Sequence, residues 1–301
     1  MNSTKTEPQT GNGQAANRHF HGGFTLVELL VVAATVALLL MLVTPAFSRM
    51  KPNGYAVQCM NNTKQLAMAW QIYTDDNGGK LVYNLHGGAA QGGAGYFLPN
   101  GILACGWVEG WLDWGTSTDN TNTIFLTADP PAGTAQGALL GQYVGRNKNV
   151  FKCPADKYLS PAQRAVGWSQ RVRSYSASVY IGAGNAEQGP TDPIYKHVIR
   201  ISDMLNPTPA QTWVYLDEHP DSMNDPAFFS PHQTQWLDNP ATYHNGAAGF
   251  SFADGHSEMH KWTGSLTRLA GVNFNFSTIS APPGDPDVHW VSFHSQRIST
   301  D

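Results

Sequence analysis

The longest apolar run of the chain lies close to its start, between Phe24 and Phe47, and Glu28 is its one charged residue. An α-helix rises about 1.5 Å per residue, so a run of 24 residues would extend roughly 36 Å, which exceeds the hydrocarbon core of a bilayer at about 30 Å. The pattern therefore predicts a membrane-spanning helix over 24–47. Pro45, which lacks an amide donor, predicts a kink near its end.

A second helical pattern follows an interruption at Lys51-Pro52-Asn53-Gly54. Apolar or small residues recur there at spacings of four, three, four and three, which places them on one face of a helix. They are Cys59, Thr63, Leu66, Trp70 and Tyr73. The spacing predicts that an amphipathic helix over 48–77 packs this face on the rest of the protein.

The remaining residues, 78–301, favour short strands joined by loops. The chain has 30 Gly and 19 Pro but only 13% charged residues, a composition typical of a loop-rich β domain and not of a helical bundle or a disordered chain. Residues 106–114, 198–201 and 212–216 are predicted strands. The fold class predicted is α+β, with the long kinked N-terminal helix packed on a C-terminal antiparallel sheet.

Asp254-Gly255 separates two alternating runs and predicts a hairpin with a two-residue turn. In that register Phe250 faces Met259 on the buried side. The opposite face then carries His256, Glu258 and His260.

The junction Gly23-Phe24-Thr25-Leu26-Val27-Glu28 resembles the processing signature of type IV pilins and type II secretion pseudopilins. The resemblance implies that a prepilin peptidase removes residues 1–23 and methylates the new N-terminus at Phe24. It also implies that Glu28 neutralises Phe24 of a neighbouring subunit during assembly, and that Pro45 occupies a position where these families commonly carry proline.

Three further segments resemble a branch of these families named for an H-x9-DG motif. They are the segment beginning at Cys59, the element Cys153-Pro154-Ala155-Asp156, and His244 with Asp254-Gly255. Three cysteines allow three pairings, and membership of the family-like segments favours a disulfide between Cys59 and Cys153, with Cys105 free.

As the resemblance implies, the chain is a structural subunit of a pilus-like or pseudopilus filament and not an enzyme. The expected location is the inner membrane, crossed once, with the C-terminal domain outside. The expected partners are like or related pilin subunits, a prepilin peptidase, an inner-membrane assembly platform and, before assembly, membrane lipid. A net charge of −4 without a basic patch argues against nucleic acid as a partner.

Two groups of residues are candidate metal ligands. An acidic segment directly after a predicted strand carries Asp217, Glu218, Asp221 and Asp225, and oxygen ligands of this kind suit Ca²⁺. A solvated acidic loop with its own Asx turns is the other interpretation. His256, with Glu258 and His260, is the second candidate group and suits a transition metal.

A different class of function stays open, namely a membrane-anchored binding protein or metal-dependent hydrolase that uses the pilin-like N-terminus for export. The tryptophans in residues 106–114 are candidate sugar-binding side chains or core residues. Hydrolytic triads lack support because the chain has no Gly-x-Ser-x-Gly elbow.

Overall fold

A computed structural model describes residues 25–185, 193–231, 234–268 and 271–298, and of residues 42–53 the backbone alone. The chain divides into two compact units, Met1–Arg49 and Met50–Asp301. Gly23 and Phe24 lie outside the described residues, as does the side chain of Pro45.

Helix α1 spans Leu26–Asp76, and its backbone is helical throughout, including the predicted interruption at residues 51–54. A capping box begins it. Thr25 Oγ1 accepts a hydrogen bond from Glu28 N (3.2 Å), and Glu28 Oε2 accepts one from Thr25 N (2.8 Å). Two amides at the start of the helix, which have no intrahelical partner, are thereby satisfied.

The prediction of a membrane-spanning helix is wrong, and with it the predicted inner-membrane location. Among the described residues, no helix is long enough and apolar enough to cross a bilayer.

The second unit holds three short helices and nine strands among its described residues. The helices are α2 (Ile124–Thr127), α3 (Pro161–Ala165) and α4 (Pro286–Phe293). The strands are β1 (Tyr96–Phe97), β2 (Leu103–Ala104), β3 (Tyr175–Ser178), β4 (Trp213–Asp217), β5 (Ala227–Phe228), β6 (Gln235–Trp236), β7 (Ala247–Phe252), β8 (Ser257–Lys261) and β9 (Ile279–Ser280). Short 3-10 helices and loops connect them.

The main sheet has five strands in the order β5-β3-β4-β7-β8. Every neighbouring pair is antiparallel except β3 and β5, which are parallel. The predicted purely antiparallel sheet is therefore wrong at one edge. The cause is the connection after β4, because residues 218–226 carry the chain past β3 to that strand's free edge.

One face of this sheet packs against the second half of α1. The five residues of the predicted stripe, from Cys59 to Tyr73, are all buried. Cys59, Leu66 and Trp70 share a core cluster with Tyr175 of β3 and Tyr215 of β4. Asn62, which is not part of the stripe, is also buried, and its amide donates to the carbonyls of Asn149 and Lys152.

The other face carries an aromatic cluster closed by α4. Its members are Trp213, Leu216, Phe228, Trp236, Ala248, Phe250, Phe252, Trp262, Leu266, Ala281 and Val291. A β-bulge between Trp213 and Tyr215 places Trp213 on this face while Tyr215 lies on the α1 face.

Two of the predicted strands do not form, although the structure describes the residues of both. Residues 106–114 form turns and irregular backbone, and Trp107 is buried there. Residues 198–201 make isolated bridges at Val198 and Arg200 and then enter a 3-10 helix at Ile201. In contrast, the strand predicted at 212–216 forms as β4.

The predicted β7–β8 hairpin forms, but its register differs by one residue. Phe252 N donates to His256 O (2.9 Å), and Gly255 has φ +91°. The turn therefore has three residues with glycine in the left-handed position, a common alternative to the two-residue turn. Phe250 consequently pairs with Glu258 and not with Met259.

Candidate functional site

Glu28, the predicted assembly residue, caps its own helix. Hydrogen bonds from the Thr25 backbone amide and then from the Thr25 hydroxyl lower the pKa of Glu28. The carboxylate is therefore ionised at neutral pH and already has two donors within its own chain.

The apolar side chains of α1 on either side of Glu28 in sequence are exposed on all sides of the helix. The large ones are Leu26, Val27, Leu29, Leu30, Val31, Val32, Val36, Leu38, Leu39, Leu40 and Met41. An exposed apolar surface of this extent is typical of a binding interface.

The acidic segment after β4 is buried and does not form a solvated loop. Asp217 faces the α1 side of the sheet. The Glu218 carboxylate instead accepts hydrogen bonds from Ser176 Oγ and Ser222 Oγ. Burial, partly offset by these bonds, raises the pKa of Glu218 to about 8.

Asp221 and Asp225 hold separate loops. Asp221 accepts hydrogen bonds from the amides of Asn273 (2.7 Å) and Phe274 (3.0 Å), and Asp225 accepts one from Gly87 N (2.9 Å). Of the four predicted Ca²⁺ ligands in this segment, only Asp217 belongs to a group of potential metal ligands within the described part of the chain.

His256, the predicted ligand of the second metal group, lies on the aromatic face of the sheet, where it stays exposed. The register shift turns β8 over, because a slip of one residue exchanges the faces of a strand. The His256 ring stacks on Phe252 with ring centres 4.3 Å apart, and its Nδ1 contacts Asp254 Oδ1 at 2.5 Å. His260 stacks on Trp290 (3.7 Å).

A four-residue cluster lies between α1 and the sheet, and we call it the Cys-Cys-Asp-His cluster. It comprises Cys59, Cys153, Asp217 and His244, and all four residues are buried. One ligand atom from each lies within 4.8 Å of those of the other three. It is the one such group found among the described residues.

Four separate segments supply this cluster. Cys59 comes from α1 and Asp217 from the end of β4, while Cys153 follows a 3-10 helix and His244 precedes β7. Cys59 and Asp217 are 158 residues apart in sequence, and Cys153 and His244 are 91 apart. The cluster is therefore a product of tertiary packing.

Hydrogen bonds connect the four side chains. Cys59 Sγ donates to both carboxylate oxygens of Asp217, at 3.0 and 2.9 Å. His244 Nε2 lies 3.4 Å from Cys153 Sγ and 3.4 Å from Asp217 Oδ2. His244 Nδ1 is buried and has no hydrogen-bond partner among the described residues, so the ring makes its polar contacts through Nε2.

Two neighbours orient the cluster. Gly249 N donates to Asp217 Oδ2 (3.0 Å), and Tyr175 Oη donates to Cys59 Sγ (3.5 Å). A Cβ at Gly249 would lie 3.1 Å from Cys59 Sγ and 3.3 Å from Asp217 Oδ2. Glycine at this position therefore lets β7 approach the helix closely enough to complete the cluster.

Burial and mutual contacts shift the pKa values of Cys59, Cys153 and His244. Burial, followed by the contact with Cys153 and the charge of Asp217, raises the pKa of Cys59. Burial opposes ionisation of Cys153 as well, but hydrogen bonds from Cys59 and His244 lower its pKa. Burial disfavours a charged His244, yet hydrogen bonds with Asp217 and Cys153 outweigh it and raise the pKa of His244 to about 10.

The sequence offered a partial signal for this site. Cys59, Cys153 and His244 each lie in a family-like segment, and Asp217 lies in the acidic segment. The predicted disulfide between Cys59 and Cys153 is absent, since both cysteines, like Cys105, are free thiols in the structure, although both lie in this cluster. What the sequence did not reveal is that His244 and Asp217 meet these sulfurs.

The two halves of the H-x9-DG motif lie near different residues of α1. His244 belongs to the Cys-Cys-Asp-His cluster, whereas Gly255 lies in the hairpin turn. A Cβ at Gly255 would come within 2.9 Å of the Gln71 amide, and Gln71 Nε2 donates to Ala253 O (3.0 Å).

An aromatic cleft of about 490 Å³ opens elsewhere on the second unit. Trp111, Trp114, Phe274 and Phe276 line it, together with Asp221 and other residues. Phe274 has φ +59°, which is unfavourable for a bulky side chain. The hydrogen bond from its backbone amide to Asp221 Oδ1 holds this conformation.

Comparison with known proteins gives one partial similarity. The chain is 46% identical over 46 residues to "Prepilin peptidase-dependent protein A" of Clostridium perfringens (strain 13 / Type A). The match covers 15% of this chain and 33% of that protein, so the chain spans about a third of the length of this relative. It points to a pilin-related protein. No family model matches the chain, and no solved structure matches it.

Proposed function

We propose that the chain is a pilin-related structural subunit, cut after Gly23 by a prepilin peptidase and assembled into a filament through the first part of α1. The role proposed is structural and not enzymatic. The observation that carries the proposal is the exposed apolar surface of α1 from Leu26 to Met41, directly after the prepilin-type junction. The partial similarity to a prepilin peptidase-dependent protein supports it.

Copies of the same helix are suitable partners for this surface. Its side chains are apolar on every side, so one neighbour covers only part of it, whereas a helical array of subunits surrounds it. Burial of such side chains contributes about 25 cal/mol per Å² removed from water. The partner subunits are therefore expected to be this chain or related ones with the same kind of helix.

The processing step is tested by intact-mass and N-terminal analysis of the protein from its native cells. We expect a chain beginning at methylated Phe24, and we expect Gly23→Ala to retain residues 1–23. An uncut N-terminus in the unaltered protein would contradict the proposal.

The assembly step is tested at Glu28 with two substitutions, because capping and charge are separable there. Glutamine at this helix position can still cap, since a capping box accepts Glu or Gln, but it carries no charge. If Glu28 neutralises the N-terminus of a neighbour, both Glu28→Gln and Glu28→Ala are processed yet form no filaments in electron micrographs. If Glu28 only caps its helix, Glu28→Gln assembles normally.

Ligand binding in the aromatic cleft is a second candidate function. The strained backbone of Phe274 favours it, because strain of this kind is concentrated at functional sites. Trp111 is partly exposed in the cleft, and an indole ring suits the flat apolar face of a sugar, whereas the Arg171 guanidinium lies over the Trp114 ring (4.1 Å).

Fluorescence titration with cellohexaose and maltohexaose tests this candidate. Binding should change tryptophan emission in the unaltered protein, should be lost in Trp111→Ala and should persist in Trp168→Ala, where the altered residue lies outside the cleft. Unchanged emission with both sugars would exclude these ligands.

A further inference from the structure

We propose that the Cys-Cys-Asp-His cluster is a structural zinc site that joins α1 to the sheet domain. The proposal is independent of processing and assembly. It concerns the four residues Cys59, Cys153, Asp217 and His244, which the sequence did not predict as a group.

The types of ligand select the metal. Two cysteine sulfurs, one imidazole nitrogen and one carboxylate oxygen are all atoms that bind Zn²⁺, and together they supply the four ligands of a tetrahedral structural site. Calcium and magnesium prefer oxygen ligands and six or more coordination positions, so this cluster does not suit them.

The distances fit tetrahedral coordination after a small adjustment. With usual zinc–ligand distances, neighbouring sulfur and nitrogen ligands lie about 3.6 Å apart, and nitrogen and oxygen ligands about 3.4 Å apart. The corresponding distances from His244 Nε2 are 3.4 Å to Cys153 Sγ and 3.4 Å to Asp217 Oδ2. Cys59 Sγ is closer to Asp217, at 2.9 Å, because its thiol proton bridges them, and zinc would replace that proton.

The surroundings supply the outer contacts that a metal site needs. Gly249 N holds the Asp217 carboxylate, and Tyr175 Oη donates to Cys59 Sγ. Such contacts orient the ligands and commonly change metal affinity by 10- to 100-fold. Cys59, Cys153 and Asp217 are completely buried, so the site has no exposed position for a substrate, which indicates a structural and not a catalytic metal.

A disulfide between Cys59 and Cys153 is the competing outcome, and Asp217 argues against it. The carboxylate is fully buried and accepts its bonds at both oxygens from Cys59 Sγ. A disulfide sulfur has no proton to donate, so oxidation would leave Asp217 Oδ1 without that donor in a buried position. Leaving a buried carboxylate oxygen without its donor is unfavourable. A divalent cation instead coordinates the carboxylate and both thiolates directly.

Metal analysis of the full chain, purified without chelators after growth with added zinc, is the first test. We expect one zinc ion per chain. Cys105→Ser is the matched control, because Cys105 is the third buried thiol and lies outside the cluster. It should retain the zinc, whereas Cys153→Ser and His244→Gln should bind it at least about 100-fold more weakly, since loss of an outer contact alone has effects of 10- to 100-fold.

Cobalt titration of the Cys105→Ser protein keeps the test independent of whether the ligand variants fold. Co²⁺ in the cluster should give sulfur-to-metal charge-transfer bands and the intense visible bands of tetrahedral coordination, and zinc should abolish both. The proposal is overturned if natively folded protein binds no cobalt or zinc. It is also overturned if Cys153→Ser binds as tightly as the unaltered chain, or if non-reducing peptide mapping finds Cys59 joined to Cys153.

Discussion

Gly249 shows how one residue controls the approach of β7 to α1. The space next to its Cα is occupied by Cys59 Sγ and Asp217 Oδ2, at 3.1 and 3.3 Å from the position of an added Cβ. Both neighbours are buried and held by hydrogen bonds, so neither can move away easily.

Gly249→Ala should therefore lower the free energy of unfolding by about 1 to 3 kcal/mol, the usual effect of overpacking a core. Urea denaturation followed by circular dichroism measures it. Gly88→Ala is the matched control, because nothing lies within 4 Å of its added Cβ, and its effect should stay within about 0.5 kcal/mol. Equal stability of the two variants would contradict the close contact.

Glu109 is a buried carboxyl group whose titration should be visible in the stability of the protein. Burial raises its pKa from 4.5 to about 8, although a hydrogen bond from Gly106 N favours the charged form. Between these pH values the folded state retains the proton and the unfolded state releases it. The contribution of Glu109 to the free energy of unfolding is therefore fully present below about pH 4.5 and is lost as the pH rises to about 8.

Glu109→Gln, which has no proton to lose, should reduce the decline in unfolding free energy between about pH 5 and pH 8 by an amount on the order of 3 kcal/mol. Urea denaturation at several pH values measures both proteins under the same conditions. Other titrating groups contribute equally to both curves, so the difference in slope belongs to Glu109. Parallel curves would disagree with the raised pKa.

At the scale of elements, the second half of α1 and the β7–β8 hairpin form one packed unit. Gly249 of β7 contacts Cys59 on α1, and Gly255 of the turn lies against Gln71. The H-x9-DG segment thus joins α1 at two points.

Trp70 is the largest anchor of α1 in this packing, and Trp70→Ala should lower the free energy of unfolding by about 3 to 5 kcal/mol. Ile72→Ala is the control on the same helix, since the Ile72 side chain is 48% exposed. Its effect should stay near 0.5 kcal/mol or below in the same urea titration. A small effect at Trp70 would mean that the helix does not depend on this face.

At the scale of the whole molecule, the two units differ in how they bury apolar residues. All buried hydrophobic residues among the described ones lie between Cys59 and Val291, within the second unit. The large apolar side chains from Leu26 to Met41 are exposed.

A chain beginning at Met50 should therefore fold by itself. We expect the same cooperative urea transition as in the full chain, with an unfolding free energy within about 1 kcal/mol, because every core cluster is retained. Near-ultraviolet circular dichroism and urea denaturation measure this. Loss of the cooperative transition would show that residues before Met50 support the core.

The sequence by itself determined the local features of this protein. The buried stripe of α1, strand β4 and the β7–β8 hairpin follow from residue spacing, because a helix repeats every 3.6 residues and a strand every two. The prepilin-type junction is likewise a property of adjacent residues. The tertiary structure decided what depends on distant contacts and exact alignment. The hairpin register depends on one extra turn residue, and the parallel β3–β5 pairing depends on a crossing loop. The Cys-Cys-Asp-His cluster joins four segments far apart in the chain, and no local period encodes their meeting.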